Sequence, residues 1–382
     1  MRLKINIIFQ YFLSIFLLFI FVARFFDGYS RNLSSVKQMF YFLFIFFTFL
    51  LITKVNQKIV TLFLIFLTYI LYSIFNFMLI DANLYDYITI FLAYFFVLGL
   101  FFFAGKEIIS KKYFDKFLRV LLIAFTIRYI YMFFTNIHRP TLFIENNFEL
   151  LFISILMIKS LMDSKINYYN LLMFAIITLT SGSRSGIAIF FFILFVFFFK
   201  KEYIKLKYTW LYALIIGGIF LAISIILKRM PEGGFASIDR LQFLFYFLDE
   251  INNWTWYKYT FGSPVITPLS ELTCERLSWY KELFSYDGSN KCYSVIFHSF
   301  ILRVIFDHGI VGLLLLFYSI KKMLSISGFS RRAIIAILGT LLLNSLSISS
   351  LNSIFAIFAL MVVLIVKKNE EDIPELKKNE NE

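Results

Sequence analysis

Several familiar constellations are missing from this chain. There is no Gly-x-x-x-x-Gly-Lys loop, so ATP hydrolysis is not expected. No cluster of Cys, His, Asp or Glu has zinc-ligand spacing. There is no Gly-x-Ser-x-Gly elbow, and the face read below as external lacks an Asp-x-Asp for a metal-bound nucleotide sugar. No cofactor is implied, and the energy for any reaction must arrive in the substrate. Cysteine is nearly absent, so any bridge joins Cys274 to Cys292. Short alternating strands with frequent turn residues are also missing, which excludes a membrane β-barrel.

What replaces them is hydrophobicity in long blocks. The sequence is 60% hydrophobic, with mean hydropathy +0.80; soluble domains sit at about 45–50% apolar. Ile7–Phe26, Ile59–Ile80 and Tyr208–Leu227 are continuous apolar runs. A bilayer core of about 30 Å takes roughly 20 such residues as a helix. Only helices and closed barrels satisfy the backbone in lipid. The chain therefore reads as an all-α integral membrane protein with about twelve transmembrane helices.

The expected spans lie near 7–26, 38–53, 59–80, 87–104, 117–135, 148–162, 168–180, 186–199, 208–227, 297–320, 332–347 and 350–366. The stretch from Ala333 to Val366 reads either as a hairpin or as one span. This divides the chain into helices 1–9 over 1–227, an outer loop over 228–296, helices 10–12 over 297–366 and a charged tail over 367–382 that is expected to be disordered. The first segment lacks a small-x-small cleavage site and is kept as a span.

The net charge of +13 is distributed by topology, not as a nucleic-acid patch. One set of connections carries Lys54 and Lys58, Lys106 to Lys116, Lys159 and Lys165, Lys200 to Lys207, and Lys321 to Arg332. The alternating set carries Arg31 and Lys37, Asp81 and Asp86, Arg139 with Glu145, and Arg184. By the positive-inside rule the first set is cytoplasmic, with both termini on that side.

The long outer connection contains Trp254, Trp256, Trp279 and many tyrosines, so it is expected to fold. Ser237–Ile251 reads as an amphipathic helix with Leu241, Leu244, Phe245 and Leu248 on one stripe, suited to the membrane surface. Both cysteines lie in this loop, where an external compartment permits the predicted Cys274–Cys292 bridge.

Polar residues in an apolar bundle need a reason. Thr180-Ser181-Gly182-Ser183-Arg184-Ser185-Gly186 is either an anion site at a helix N-terminus or a capped tight turn. Arg240 is either a phosphate fork or a surface partner of Asp239. His298, followed by Ser299, Arg303, Asp307 and His308, is either a general base or structural. Arg128, with His138 and Arg139 beyond it, either meets a lipid phosphate or snorkels.

In order, these landmarks resemble the O-antigen polymerase and O-antigen ligase superfamily. Ser183-Arg184-Ser185-Gly186 is similar to its Ser-Arg-x-Gly turn. Ile238-Asp239-Arg240, leading to Phe261-Gly262, is similar to its Arg-led loop helix ending near Leu-Gly-x-Gly. His298-Ser299, then Phe306-Asp307-His308-Gly309-Ile310-Val311-Gly312, resembles its His-Asn segment with an acidic residue and Gly-[Leu/Ile]-[Ile/Val]-Gly. Ser299 stands where the family has Asn, and Gly262-Ser263-Pro264 replaces Gly-x-Gly. The resemblance covers about Ser181 to Gly312.

It implies a GT-C-like helical glycosyltransferase in a bacterial cytoplasmic membrane, acting on its outer side. The donor would be a glycan on undecaprenyl pyrophosphate, and the partners would include membrane lipids and a chain-length regulator. Arg184 and Arg240 would neutralise the departing pyrophosphate, with Arg303, Arg128 and Arg139 as further phosphate contacts. His298 would take the acceptor proton. A repeat-unit polymerase is preferred. A ligase using the same donor and, from another class, a lipid-linked oligosaccharide flippase are the alternatives.

Overall fold

The computed structural model describes residues 2–25, 34–52, 55–135, 139–143, 145–162, 167–199 and 239–367. The expected span at 208–227, His138 and nearly all of the charged tail lie outside these residues. Among the described residues the chain is helical and contains no strand; Ile109 and Val366 form an isolated bridge.

The helices are α1 (Arg2–Phe25), α2 (Ser34–Leu51), α3 (Val60–Met78), α4 (Leu84–Leu100), α5 (Lys111–Phe134), α6 (Asn146–Leu161), α7 (Tyr168–Thr180) and α8 (Arg184–Phe198). After the outer loop begins come α9 (Asp239–Ile251), α10 (Trp256–Phe261), α11 (Glu271–Arg276), α12 (Phe300–Ile326), α13 (Arg331–Ser345) and α14 (Ile354–Leu364). Polar caps set many of the starts. Asn83, Ser110, Asn167, Ser183, Ser330 and Ser353 each accept a backbone N–H of the following turn.

Three helical segments are long and apolar enough to cross a membrane: Gln57–Met78, Lys111–Phe134 and Phe300–Ile326. Shorter apolar helices accompany them. The centre is the pair α6 and α14, which pack on each other. Every residue from Glu149 to Ile158 is buried, as is all of α14. A helix that is apolar on all sides belongs in an interior, and these two are enclosed by their neighbours. Around them α14 touches α2 and α4, α13 touches α8 and α6, and α5 lies along α7.

The stretch from Ala333 to Val366 is two helices, not one. The 11 residues of α14 reach about 16 Å, from the serine-rich turn to the Ile365 carbonyl that accepts from Ile108 and Ile109. A serine-rich turn over 346–353 separates it from α13.

The outer loop does fold. Phe243, Phe247 and Ile251 of α9 join Leu269, Leu277, Ile296, Phe297, Leu302 and Phe306 in a small core on the first turns of α12. Cys274 and Cys292 are bonded within it. Asp86 of α4 ties this unit to the bundle, accepting from Ser285 Oγ at 2.6 Å and the Tyr286 N–H at 3.3 Å. The stripe of α9 that enters this core is Phe243, Phe247 and Ile251, while Leu244, Phe245 and Leu248 of the expected surface stripe face outward. Both stripes have helical spacing; the one carrying the two phenylalanines fills the space against Phe297.

Candidate functional site

The three landmarks lie where helices stop, and the second and third share one turn. Gly182, at φ +63°, turns the chain between α7 and α8. Ser183 caps α8 by accepting the Gly186 N–H at 3.1 Å. Arg184 therefore opens α8, half-buried. Two asparagines at the start of α6 hold the turn. Asn146 Nδ2 donates to the carbonyls of Pro140 (2.9 Å) and Ser181 (3.0 Å). Asn147 Oδ1 accepts from Ser183 Oγ at 2.7 Å.

Glu145 immediately precedes these asparagines. Burial pushes its carboxyl above the usual carboxylate range, while Arg139, a hydrogen bond from Asn147 and Arg240 pull it down. Arg139 and Arg240 thus act on one carboxylate from different parts of the chain. Both are exposed.

Arg240, in the first turn of α9, donates from Nε to the Ser347 carbonyl at 3.2 Å. The same serine-rich turn receives His298, whose carbonyl accepts from Ser349 Oγ at 3.1 Å. His298 has φ +52°, left-handed for a non-glycine residue. Such strain persists only where surroundings enforce it. Here the imidazole packs against Tyr280 and Phe243, at centroid distances of 5.0 and 5.5 Å, and those two rings touch each other. Ser299 then opens α12, donating to the Ser345 carbonyl at 3.1 Å.

The remaining arginines fall elsewhere. Arg303 is buried, with Nη1 donating to Ser349 Oγ (2.7 Å) and Nη2 to the Thr89 carbonyl (3.2 Å). It ties the serine turn to α4 from inside, which is a different position from the phosphate contact expected of it. Arg128 is half-buried and donates from Nε to the Thr141 carbonyl at 3.4 Å. That bond turns it toward the loop bearing Arg139.

A second meeting of landmarks lies deeper. Gly309 interrupts α12 with φ +67°. A Cβ there would overlap the Thr260 carbonyl and come within 2.5 Å of the Gly262 nitrogen. Gly262, at φ +87°, would place its own Cβ 2.5 Å from the His308 nitrogen. The freed Phe306 carbonyl accepts the Ser263 N–H at 2.8 Å. The loop's Phe261-Gly262 and the helix's Asp307-His308-Gly309 are therefore interlocked, backbone against backbone. Next to them Ser294 donates to Asp307, and His308 Nδ1 lies 2.7 Å from the Tyr69 hydroxyl.

Sequence reading missed Glu145, Asn147 and the Ser345–Ser350 turn as parts of this region. The signal for the turn is its serine run inside an otherwise apolar stretch. Glu149 was also missed. It is buried in α6 and accepts from Tyr129 Oη (2.9 Å) and the N–H groups of Leu142 (2.8 Å) and Phe143 (2.7 Å), which anchors the loop after Arg139. Among the described residues no group of three or more His, Cys, Asp or Glu is placed to hold a metal.

No protein-family model matches the chain, and no curated protein matches it. The functional reading rests on this geometry and on the resemblance of the motifs.

Proposed function

We propose that the chain is a multi-pass membrane glycosyltransferase of the polymerase type. It moves a glycan from undecaprenyl pyrophosphate to the terminal sugar of another lipid-linked repeat unit. About twelve spans, cytoplasmic termini and an active site on the outer side of a bacterial cytoplasmic membrane belong to this reading. One observation carries it. Arg240 and His298, distant in sequence, both contact the Ser347–Ser349 turn, and Ser183, next to Arg184, is held by Asn147 beside Glu145, a carboxyl that Arg240 pulls down.

The chemistry asks little of the protein beyond placement. The acceptor hydroxyl oxygen forms a bond to the anomeric carbon, and the bond from that carbon to the pyrophosphate oxygen breaks. The leaving pyrophosphate takes the electron pair. Arg184 and Arg240 would meet that charge with charge-assisted hydrogen bonds. His298 would take the hydroxyl proton, its ring packed against Tyr280 and Phe243. Arg139 and Arg240 both favour the charged form of Glu145, whose negative charge in turn offsets theirs before substrate arrives.

The test is complementation of a strain lacking the gene with wild type, Arg184→Ala, Arg240→Ala and His298→Ala at matched membrane abundance, with surface glycan resolved by length. The expected result is single repeat units on the final acceptor in the null strain and in all three variants. Long chains accumulating on the carrier lipid in the null strain would instead mean the ligase activity. Full-length glycan from all three variants would reject the site and favour a transporter.

A further inference from the structure

The helix α10 and its flanks pack against α12 at a point that three helices measure independently. Gly309, in contact with Thr260 and Gly262, precedes Lys321 by twelve residues of α12, about 18 Å at 1.5 Å per residue. The neighbouring His308 meets Tyr69, which follows Lys58 by eleven residues of the Gln57–Met78 segment, about 16 Å. His308 also packs on Phe91 and Tyr94, at 4.7 and 4.4 Å between centroids, in the middle of α4. Half of a bilayer core is about 15 Å. All three measures put the Thr260–Gly309 contact near mid-depth, although residues 254–263 belong to the loop.

This loop segment carries the aromatic residues such a depth would require. Trp256, Tyr257 and Phe261 are 76%, 57% and 49% exposed. Ile310, Val311 and Leu314, which follow Gly309 on the α12 span, are exposed as well. Hydrocarbon also demands that backbone groups be paired internally. Beyond the first turn of α10, where Thr255 makes no side-chain cap, the backbone is paired: Tyr259 N–H donates to the Thr255 carbonyl (3.2 Å), Gly262 N–H to Lys258 (2.8 Å) and Ser263 N–H to Phe306 (2.8 Å). The Thr260 hydroxyl turns back to the Trp256 carbonyl (2.8 Å), and the Tyr259 hydroxyl to that of Ile251 (2.8 Å). Lys258 is the one charge on α10, and its long stem can carry the ammonium outward.

We infer that residues 254–263 form a re-entrant turn whose Trp256, Tyr257 and Phe261 insert among lipid acyl chains beside α12. The two glycines make this possible, since only backbone without side chains lets the turn lie flat on the span at that depth. The outer loop is thereby held in the bilayer by its own aromatic foot. The inference rests on α3 and α12 crossing the membrane and is independent of any catalytic role.

The experiment is tryptophan quenching in phosphatidylcholine vesicles with brominated acyl chains, using full-length protein. One variant keeps Trp256 as the single tryptophan. A second, Trp256→Phe in the otherwise natural protein, gives the same signal by difference if the first does not fold. A control carries Leu314→Trp together with Trp256→Phe and reports the span itself. The expected result is strong loss of Trp256 emission with brominated lipid, little loss with aqueous iodide, and parallel quenching of the indole introduced by Leu314→Trp. Quenching at the control but not at Trp256 would overturn the inference and leave a protein segment over these aromatics. Absence of quenching at both would overturn the membrane crossing of α12 and the inference with it.

Discussion

Replacing Gly309 with alanine tests the interlock between loop and span. Two costs add. The first is conformational: φ +67° with ψ −176° is a region essentially reserved for glycine, costing about 1–3 kcal/mol for another residue. The second is steric. The new Cβ would stand 2.5 Å from the Gly262 nitrogen and overlap the Thr260 carbonyl, and both are backbone atoms that no rotamer change can move. Overpacking of this kind costs a further 1–3 kcal/mol, roughly. Gly288 supplies the matched control. It also has positive φ, at +77°, but a Cβ there meets nothing within 4 Å. Gly288→Ala should therefore cost only the strain, about 1–2 kcal/mol.

The assay is thermal unfolding of both variants in one detergent, with Trp254 fluorescence as a local reporter because its ring lies 5.4 Å from Phe306. Gly309→Ala should melt well below Gly288→Ala and should change the Trp254 emission before global unfolding. Equal melting temperatures with unchanged emission would mean that the Thr260–Gly262 backbone does not press on α12.

Three further outcomes follow from single groups. Cys274→Ser opens a closure with a sequence separation of 18, worth about 3 kcal/mol in the chain-entropy account, so limited proteolysis should cut within 263–293 faster than in wild type. Glu145→Gln should flatten a pH dependence. Burial raises the carboxyl's folded pKa, so its favourable contribution is full below the unfolded value of about 4.3 and is lost as pH rises through the folded value. Melting of wild type relative to Glu145→Gln should accordingly fall across that window, and a constant difference would refute the burial argument. Arg240→Lys should preserve a donor for the Ser347 carbonyl and hence folding, yet fail in complementation because an ammonium lacks the bidentate fork; restored glycan length would reduce Arg240 to a cap.

Long apolar blocks and the polar residues between them predict helix positions well here, because each cap is local. Ser110, Ser183 and Ser330 start α5, α8 and α13 with no help from distant residues. What hydropathy does not reveal is which apolar segments are short helices wrapped by protein. The composition of α14 reads as a span, but its end is set by contacts that are remote in sequence: Ile108 and Ile109 donate to the Ile365 carbonyl at 2.8 and 3.0 Å. The second stripe of α9 was hidden for a similar reason. Periodicity identifies two apolar faces, and only the disulfide-closed unit beneath determines which is buried. The role of Arg303 was equally hidden, because its partners Thr89 and Ser349 come from different helices and a turn.

The polar end of the bundle also has a structural reason to exist. Every helix end leaves backbone groups that an apolar interior cannot satisfy. Here α6, α8, α12 and α13 begin or end in one region, and their open carbonyls and N–H groups gather Asn146, Ser183, Ser299, Ser349 and Arg303. Capping therefore accounts for most of the hydrophilic residues in the region, and their clustering alone says nothing about catalysis. It does not account for a carboxyl that burial pushes up and that Arg139 and Arg240 both pull down, or for a left-handed His298 packed against two aromatic rings. A capping role needs neither two cations at one acid nor a strained histidine. These are the features that a site for a departing polyanion and an acceptor hydroxyl would require, and both arginines are exposed, where a substrate has access.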